Sequence, residues 1–231
     1  MNVRIFQPQS LNIDAAAYGY GVFGGSTGDS WTSSGNVIWD RVLRDLSIGS
    51  DTDPFMLAHE VPAMDTPDRA AKHIDKYAGI VQALKQITTR PVGLYNTWHL
   101  GRPQDDLLAG MQYQAMQDAE WLFPAVYGDL ESAVIVGKVS TALDCAMNKH
   151  GVLRPVTLVI NPYSREGDLT SEHDPVRFKQ QIELAARTGG KWYPERRITD
   201  IGFWHSMTAG EDRRDAVLRL AEVAKEIVVS C

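Results

Sequence analysis

The sequence predicts the α/β class, and within it a TIM-like (β/α) barrel with fewer than eight regular strands. Three observations carry this expectation. Short runs that are apolar almost throughout alternate with longer amphipathic stretches, as parallel strands covered by helices do. The runs starting at 54, 91, 121 and 155 follow one another at intervals of 30 to 37 residues, the length of a strand–helix unit. Polar and aromatic residues collect at the C-terminal ends of the runs, which a closed barrel gathers on one rim. An open doubly wound sheet is the competing arrangement.

In chain order, "VRIF" (3–6) is the first strand-sized run. Residues 9–35, rich in Gly and Ser and without a sustained period, read as a long excursion that ends at a helix over 36–46. "PFMLAHE" (54–60) is the next strand. A helix over 67–88 follows, with Thr66 as N-cap, Pro67 at the first helical position, and Ile74, Tyr77, Val81 and Leu84 on its apolar stripe. "PVGLYNTW" (91–98) and "WLFPAVYG" (121–128) are strands, and 131–148 is a helix with Ile135, Val139, Ala142 and Ala146 on one face. "PVTLVINPY" (155–163) is a strand, and Asp174 and Pro175 open a helix carrying Phe178 and Ile182. "KWYPE" (191–195) is a candidate seventh strand ahead of "IGFWHS" (201–206). Finally "TAGE" (208–211) reads as a capping box before Val217, Leu220, Ala224 and Ile227. An echo runs through this order: "RPVGLYN" and "RPVTLVIN" both enter a strand through Arg-Pro.

The 231 residues suit one barrel-like domain over 1–231. A formal charge of −6 with no basic run argues against nucleic acid as a partner. No apolar stretch reaches the roughly 18 residues a membrane helix needs. Two cysteines, Cys145 and Cys231, read as free thiols, which fits a reducing cytoplasm or a secreted chain shown without its leader. No C-x-x-C or helical H-x-x-x-H occurs, so no metal is expected, and no Gly-rich phosphate motif follows a strand, so neither is a cofactor. The oligomeric state is left open.

The chemistry centres on "LAHE" (57–60). Strand side chains alternate, so Met56, Ala58 and Glu60 share one face while Phe55, Leu57 and His59 share the other. With the first set facing inward, Glu60 stands in the barrel mouth. A carboxyl group among apolar rings is desolvated, stays protonated near neutrality, and serves as a general acid. Around it the strand tips offer Tyr95, Asn96, Trp98, Tyr127, Asn161, Tyr163 and Trp204, with His59 in support and Trp192 and Tyr193 nearby. Flat rings with polar edges suit sugars, whose C–H faces stack while their hydroxyls seek amides. Glycoside hydrolysis usually takes a second carboxyl group; Asp129 is the best-placed partner and also reads as a helix N-cap, with Glu166 and Asp168 behind it. Asp200 precedes its strand and belongs at the opposite end of the barrel.

This order of segments resembles the hyaluronidase-like glycoside hydrolases, whose strands end in D-x-E, W-G-x-Y, L-Y-P-x-I-Y, P-V-x-V-Y and a late Trp. The counterparts here are "LAHE", "VGLYNTW", "LFPAVYG", "PVTLVINPY" and "IGFWHS". The resemblance implies a barrel, a carbohydrate substrate, Glu60 as the catalytic acid, and Tyr95, Tyr127 and Trp204 as substrate contacts. The first acidic position of D-x-E is Ala58, so the group that positions a substrate acetamido moiety is missing. Two other functions fit the residues: a non-catalytic carbohydrate-binding or scaffolding barrel, and an α/β enzyme for a small metabolite with His59–Glu60 or His205 as acid and base.

Overall fold

The computed structural model describes residues 1–6, 14–26, 30, 32, 36–58, 66–95, 110–111, 113–114, 116–126, 131–160, 163–165, 168–172, 174–204 and 214–230; for 163–165, 168–172, 214 and 229–230 it describes the backbone. Eight parallel strand segments form the central sheet: β1 (Asn2–Phe6), β2 (Gly21–Gly25), β3 (Phe55–Leu57), β4 (Val92–Tyr95), β5 (Trp121–Phe123), β6 (Ala125–Val126), β7 (Thr157–Ile160) and β10 (Asp200–Phe203). Their order is β5-β4-β3-β2-β1-β10-β7-β6. The two ends of this order, β5 and β6, are halves of one run interrupted at Pro124. Leu122 bridges Val156, Leu122 N donates to Pro155 O at 3.0 Å, and Val159 N donates to Pro124 O at 2.8 Å. The sheet therefore closes into a barrel of seven staves, one of them broken at a proline that has no N–H to donate.

Helices α1 (Trp39–Leu46), α2 (Pro67–Ile87), α3 (Ser132–Asp144), α4 (Pro175–Arg187) and α5 (Arg214–Ser230) lie between the strands or follow the last. The cap signals act as local chemistry dictates: Thr66 Oγ1 accepts from Arg69 N, and the Asp174 carboxylate accepts from Val176 N and Arg177 N. A short antiparallel hairpin, β8 (Tyr163–Arg165) with β9 (Asp168–Glu172), separates β7 from α4. The predicted capping box at 208–211 lies outside the described residues.

Two expectations are corrected. Residues 21–25, within the supposed excursion, form β2, paired with β1 and β3. "GVFGG" has little strand propensity of its own; it is a strand because larger neighbours occupy the space its glycines leave. Residues 191–195 are not the seventh strand. Pro194 and a run of contacts to the end of α3 hold them as an ordered loop before β10.

Two apolar layers result. Phe55, Leu57, Leu94, Leu122, Leu158 and Ile201 face the helices, where Tyr77, Leu84, Val139, Phe178 and Ala221 cover them. Phe6, Phe23, Met56, Ala58, Tyr95, Phe123, Ala125 and Val159 fill the barrel interior. Glycine makes the inner packing fit: a Cβ on Gly93 would fall 2.4 Å from the Phe123 ring, and one on Gly202 3.0 Å from Phe23. Rings from one stave thus sit over bare backbone of the next, and the interior is a packed core, not a channel.

The N-terminal end of the barrel is held by buried guanidinium groups. Arg154 donates to the carbonyls of Ala146 (3.2 Å), Ala119 (3.2 Å), Met116 and Cys145. Arg90 reaches Asp53 O (3.0 Å), Leu46 O (2.8 Å) and Ile48 O, and Arg196 reaches Leu143 O (3.1 Å) and Asp144 O (3.3 Å). Each sets a cation at or just past a helix C-terminus, Arg90 at α1 and Arg154 and Arg196 at α3, where the helix dipole favours positive charge. The Arg-Pro echo in the sequence is this device used twice. Desolvation pulls the pKa of both Arg90 and Arg154 below the ordinary arginine value, and burial pushes the neighbouring Cys145 thiol up to about 12, which makes it unreactive.

Candidate active site

Because every sheet strand is parallel, the C-terminal ends of all seven staves share one face. The uppermost described side chains inside the barrel at that face are Phe6, Ala58, Tyr95 and Trp204. Trp204 stacks against Phe6, with ring centroids 4.1 Å apart, and against Tyr95, at 5.9 Å; Phe6 in turn meets Phe23 below it at 5.4 Å. Tyr95 is only 2% exposed, and Trp204 is half-buried. Such offset and tilted pairs fit the ring quadrupoles and make a firm apolar platform.

Two backbone anchors fix how the chain leaves this platform. Ser26, fully buried just past β2, accepts from Ala58 N at 3.1 Å through its hydroxyl and donates its own N–H to Met56 O at 3.0 Å. The pairing of β2 with β3 thus continues beyond the last ladder residue as far as Ala58. Across the mouth, Trp204 N donates to Ile160 O at 2.8 Å, holding Trp204 to β7 after β10 has ended. Phe6 and Ser26 were not among the candidate residues. Phe6 reads in sequence as the tail of a core run, and Ser26 as part of a polar loop.

Of the expected site residues, the structure brings Tyr95 and Trp204 together. Glu60, His59, Asn96, Trp98, Tyr127, Asp129 and Asn161 lie outside the described residues, as do Glu166 and His205, and only the backbone of Tyr163 and Asp168 is described. Trp192 and Tyr193 are corrected: they precede β10 and lie at the N-terminal end of the barrel, away from the mouth. Asp200 is at that end too, as expected. It is 2% exposed and accepts from Asn2 Nδ2 at 2.9 Å, stands 3.4 Å from Arg4 Nε, and meets the hydroxyls of Thr157 at 3.4 Å and Thr199 at 3.2 Å. Arg4 lies over the Trp121 ring at 5.2 Å, and Trp121 Nε1 donates to Thr157 Oγ1 at 2.7 Å, completing a polar plug.

Among the described residues, no three His, Cys, Asp or Glu side chains stand close enough together to hold a metal ion. A polar crevice of about 170 Å³, lined by Glu131, Ser132, Arg177, Gln180, Gln181 and Leu184, opens between α3 and α4 on the outer wall. No described helix is long and apolar enough to cross a membrane.

The fold is a (β/α) barrel similar to that of hyaluronidase structures, from which it is distant in sequence. The chain is similar to bee venom hyaluronidase, solved in complex with a hyaluronic acid tetramer, at TM-score 0.62 and 10% identity over 99% of this chain and 100% of that one. A monoclinic crystal structure of bee venom hyaluronidase gives TM-score 0.63 and 9% identity, over 97% of this chain and 100% of that one. No protein-family model matches the sequence, and no curated protein does. At this level of identity the likeness is one of fold.

Proposed function

We propose that this protein cleaves a glycosidic bond in a carbohydrate, with Glu60 as general acid and Asp129 as the second carboxyl group. The observation that carries the reading is the position of Met56 and Ala58. Both lie in the inner cluster with Tyr95 and against Trp204, and a residue two further along keeps the same face of a strand. With the extended course of β3 continued past Ala58, Glu60 would rise from an apolar floor of rings, where desolvation favours the protonated carboxyl group that a leaving oxygen needs. Trp204 supplies the flat wall beneath the sugar, with buried Tyr95 stacked behind it, and Asn96, Trp98, Tyr127, Asn161 and Tyr163, each on or following a strand of this rim, would complete the binding surface with His59. The hyaluronic acid tetramer bound to the similar bee venom enzyme supports a carbohydrate as the ligand class.

The test is release of reducing ends from a panel of polysaccharides by the wild type and Glu60→Gln. The expected outcome is release by the wild type, at least about 10³-fold slower in Glu60→Gln, with the thermal midpoint unchanged. Equal activity in the two proteins removes Glu60 from the mechanism.

Ala58, where the family carries the first carboxylate of its pair, favours a second reading, a carbohydrate-binding barrel without catalysis. That protein would release no reducing ends from any glycan it binds, and Glu60→Gln would bind as the wild type does.

A further inference from the structure

Trp192 is 68% exposed and Tyr193 42%, on the loop that enters β10 at the end of the barrel opposite the candidate active site. The loop that carries these rings is tied at each step. The Asp144 carboxylate, at the end of α3, accepts from Lys191 N at 3.0 Å and Trp192 N at 2.8 Å. Tyr193 O accepts from Gly190 N at 3.1 Å and Arg196 N at 3.0 Å. The Arg196 guanidinium, itself fastened to Leu143 O, lies 3.4 Å from the centroid of the Tyr193 ring, and Lys191 Nζ lies 4.7 Å from that of Trp192. The rings are therefore held ready, and a ligand would pay little to order them. Around them three cations, exposed Lys191 and Arg197 and buried Arg196, face two acids, Glu195 and Asp144, in a chain whose overall charge is −6; one nitrogen of the Arg197 guanidinium donates to Pro194 O and Arg196 O.

We propose that Trp192 and Tyr193, flanked by Lys191 and Arg197, form a second binding site that takes a strand of an anionic polysaccharide. The rings meet the C–H faces of successive sugars, and the two cations meet their acidic groups. Flat rings with charges at their edge, not an apolar groove, suit a hydrated polymer better than a protein partner. The site is independent of Glu60 and does not require the protein to be a hydrolase.

The experiment is affinity electrophoresis in native gels containing carboxymethyl-dextran or unmodified dextran, which differ in charge on a common backbone. Wild type, Trp192→Ala/Tyr193→Ala, Lys191→Gln/Arg197→Gln and Trp204→Ala are run side by side, with thermal midpoints confirming that each is folded. Carboxymethyl-dextran should still retard Trp204→Ala, which lacks the ring at the mouth, and its apparent affinity should fall at least about tenfold in each of the other two variants. Retardation of Trp204→Ala keeps this site separate from the mouth, and its loss there overturns the proposal. The proposal is overturned if carboxymethyl-dextran leaves the wild type unretarded, if the ring variant is retarded as strongly as the wild type, or if dextran acts as well as its charged derivative. It is also overturned if sedimentation shows the wild type self-associating and the ring variant monomeric, since the rings, together with exposed Val152 and Leu153 on the loop entering β7, would then join two copies of this chain.

Discussion

At its N-terminal end the barrel interior holds Arg4, Asp200, Thr157 and the indole N–H of Trp121, linked into one polar network; further along the same strands it holds Phe6, Trp204, Val159 and Phe123. The two regions share staves and differ only in which inward position is considered. A carboxylate is tolerated at the lower end because Asn2, Arg4, Thr157 and Thr199 all meet it there. A carboxyl group raised onto the upper end meets rings instead, and its neutral form is favoured. The contrast separates the end that holds the barrel together from the end where the proposed acid would stand, the division of labour usual for this architecture.

The comparison can be broken most decisively at Arg154. Truncation to Ala removes the guanidinium's bonds to four carbonyls, of which Met116 O and Ala146 O keep a backbone donor, and should cost about 3 kcal/mol or more of unfolding free energy in urea titrations; a cost near zero would mean that the lower end does not carry the stability. Asp200→Asn keeps the shape and removes the charge, leaving Arg4 without its counterion, and should cost roughly 2–4 kcal/mol by the same measurement. Sugar binding at the mouth should be unchanged per folded molecule. The smallest stability effect, about 1–2 kcal/mol, is expected for Trp204→Ala, because that ring is only half-buried and part of its surface already meets water. Yet its glycan affinity, measured by calorimetry, should fall at least about tenfold. A reversal, with Trp204→Ala unfolding the protein and Asp200→Asn abolishing binding, would exchange the roles of the two ends.

By itself the sequence determined what depends on neighbours in the chain. Thr66 with Pro67 and Asp174 with Pro175 open helices because a side-chain oxygen and a preset φ act within one turn. The buried runs at 55–57, 92–95, 157–160 and 200–203 are legible because parallel strands covered by helices are apolar on both faces. Period two was enough to put Met56 and Ala58 on one side. Tertiary structure alone decided the rest. Three glycines in "GVFGG" became a strand because Arg4, Arg90, Met56 and Phe6 fill what the missing side chains leave, while aromatic "KWYPE" became a loop because Asp144 supplies the acceptor for its first N–H groups. Phe6 joined Trp204, and Ser26 captured Ala58, across separations no local pattern encodes. Which residues meet across the barrel depends on how the staves close, and closure is a property of the whole ring.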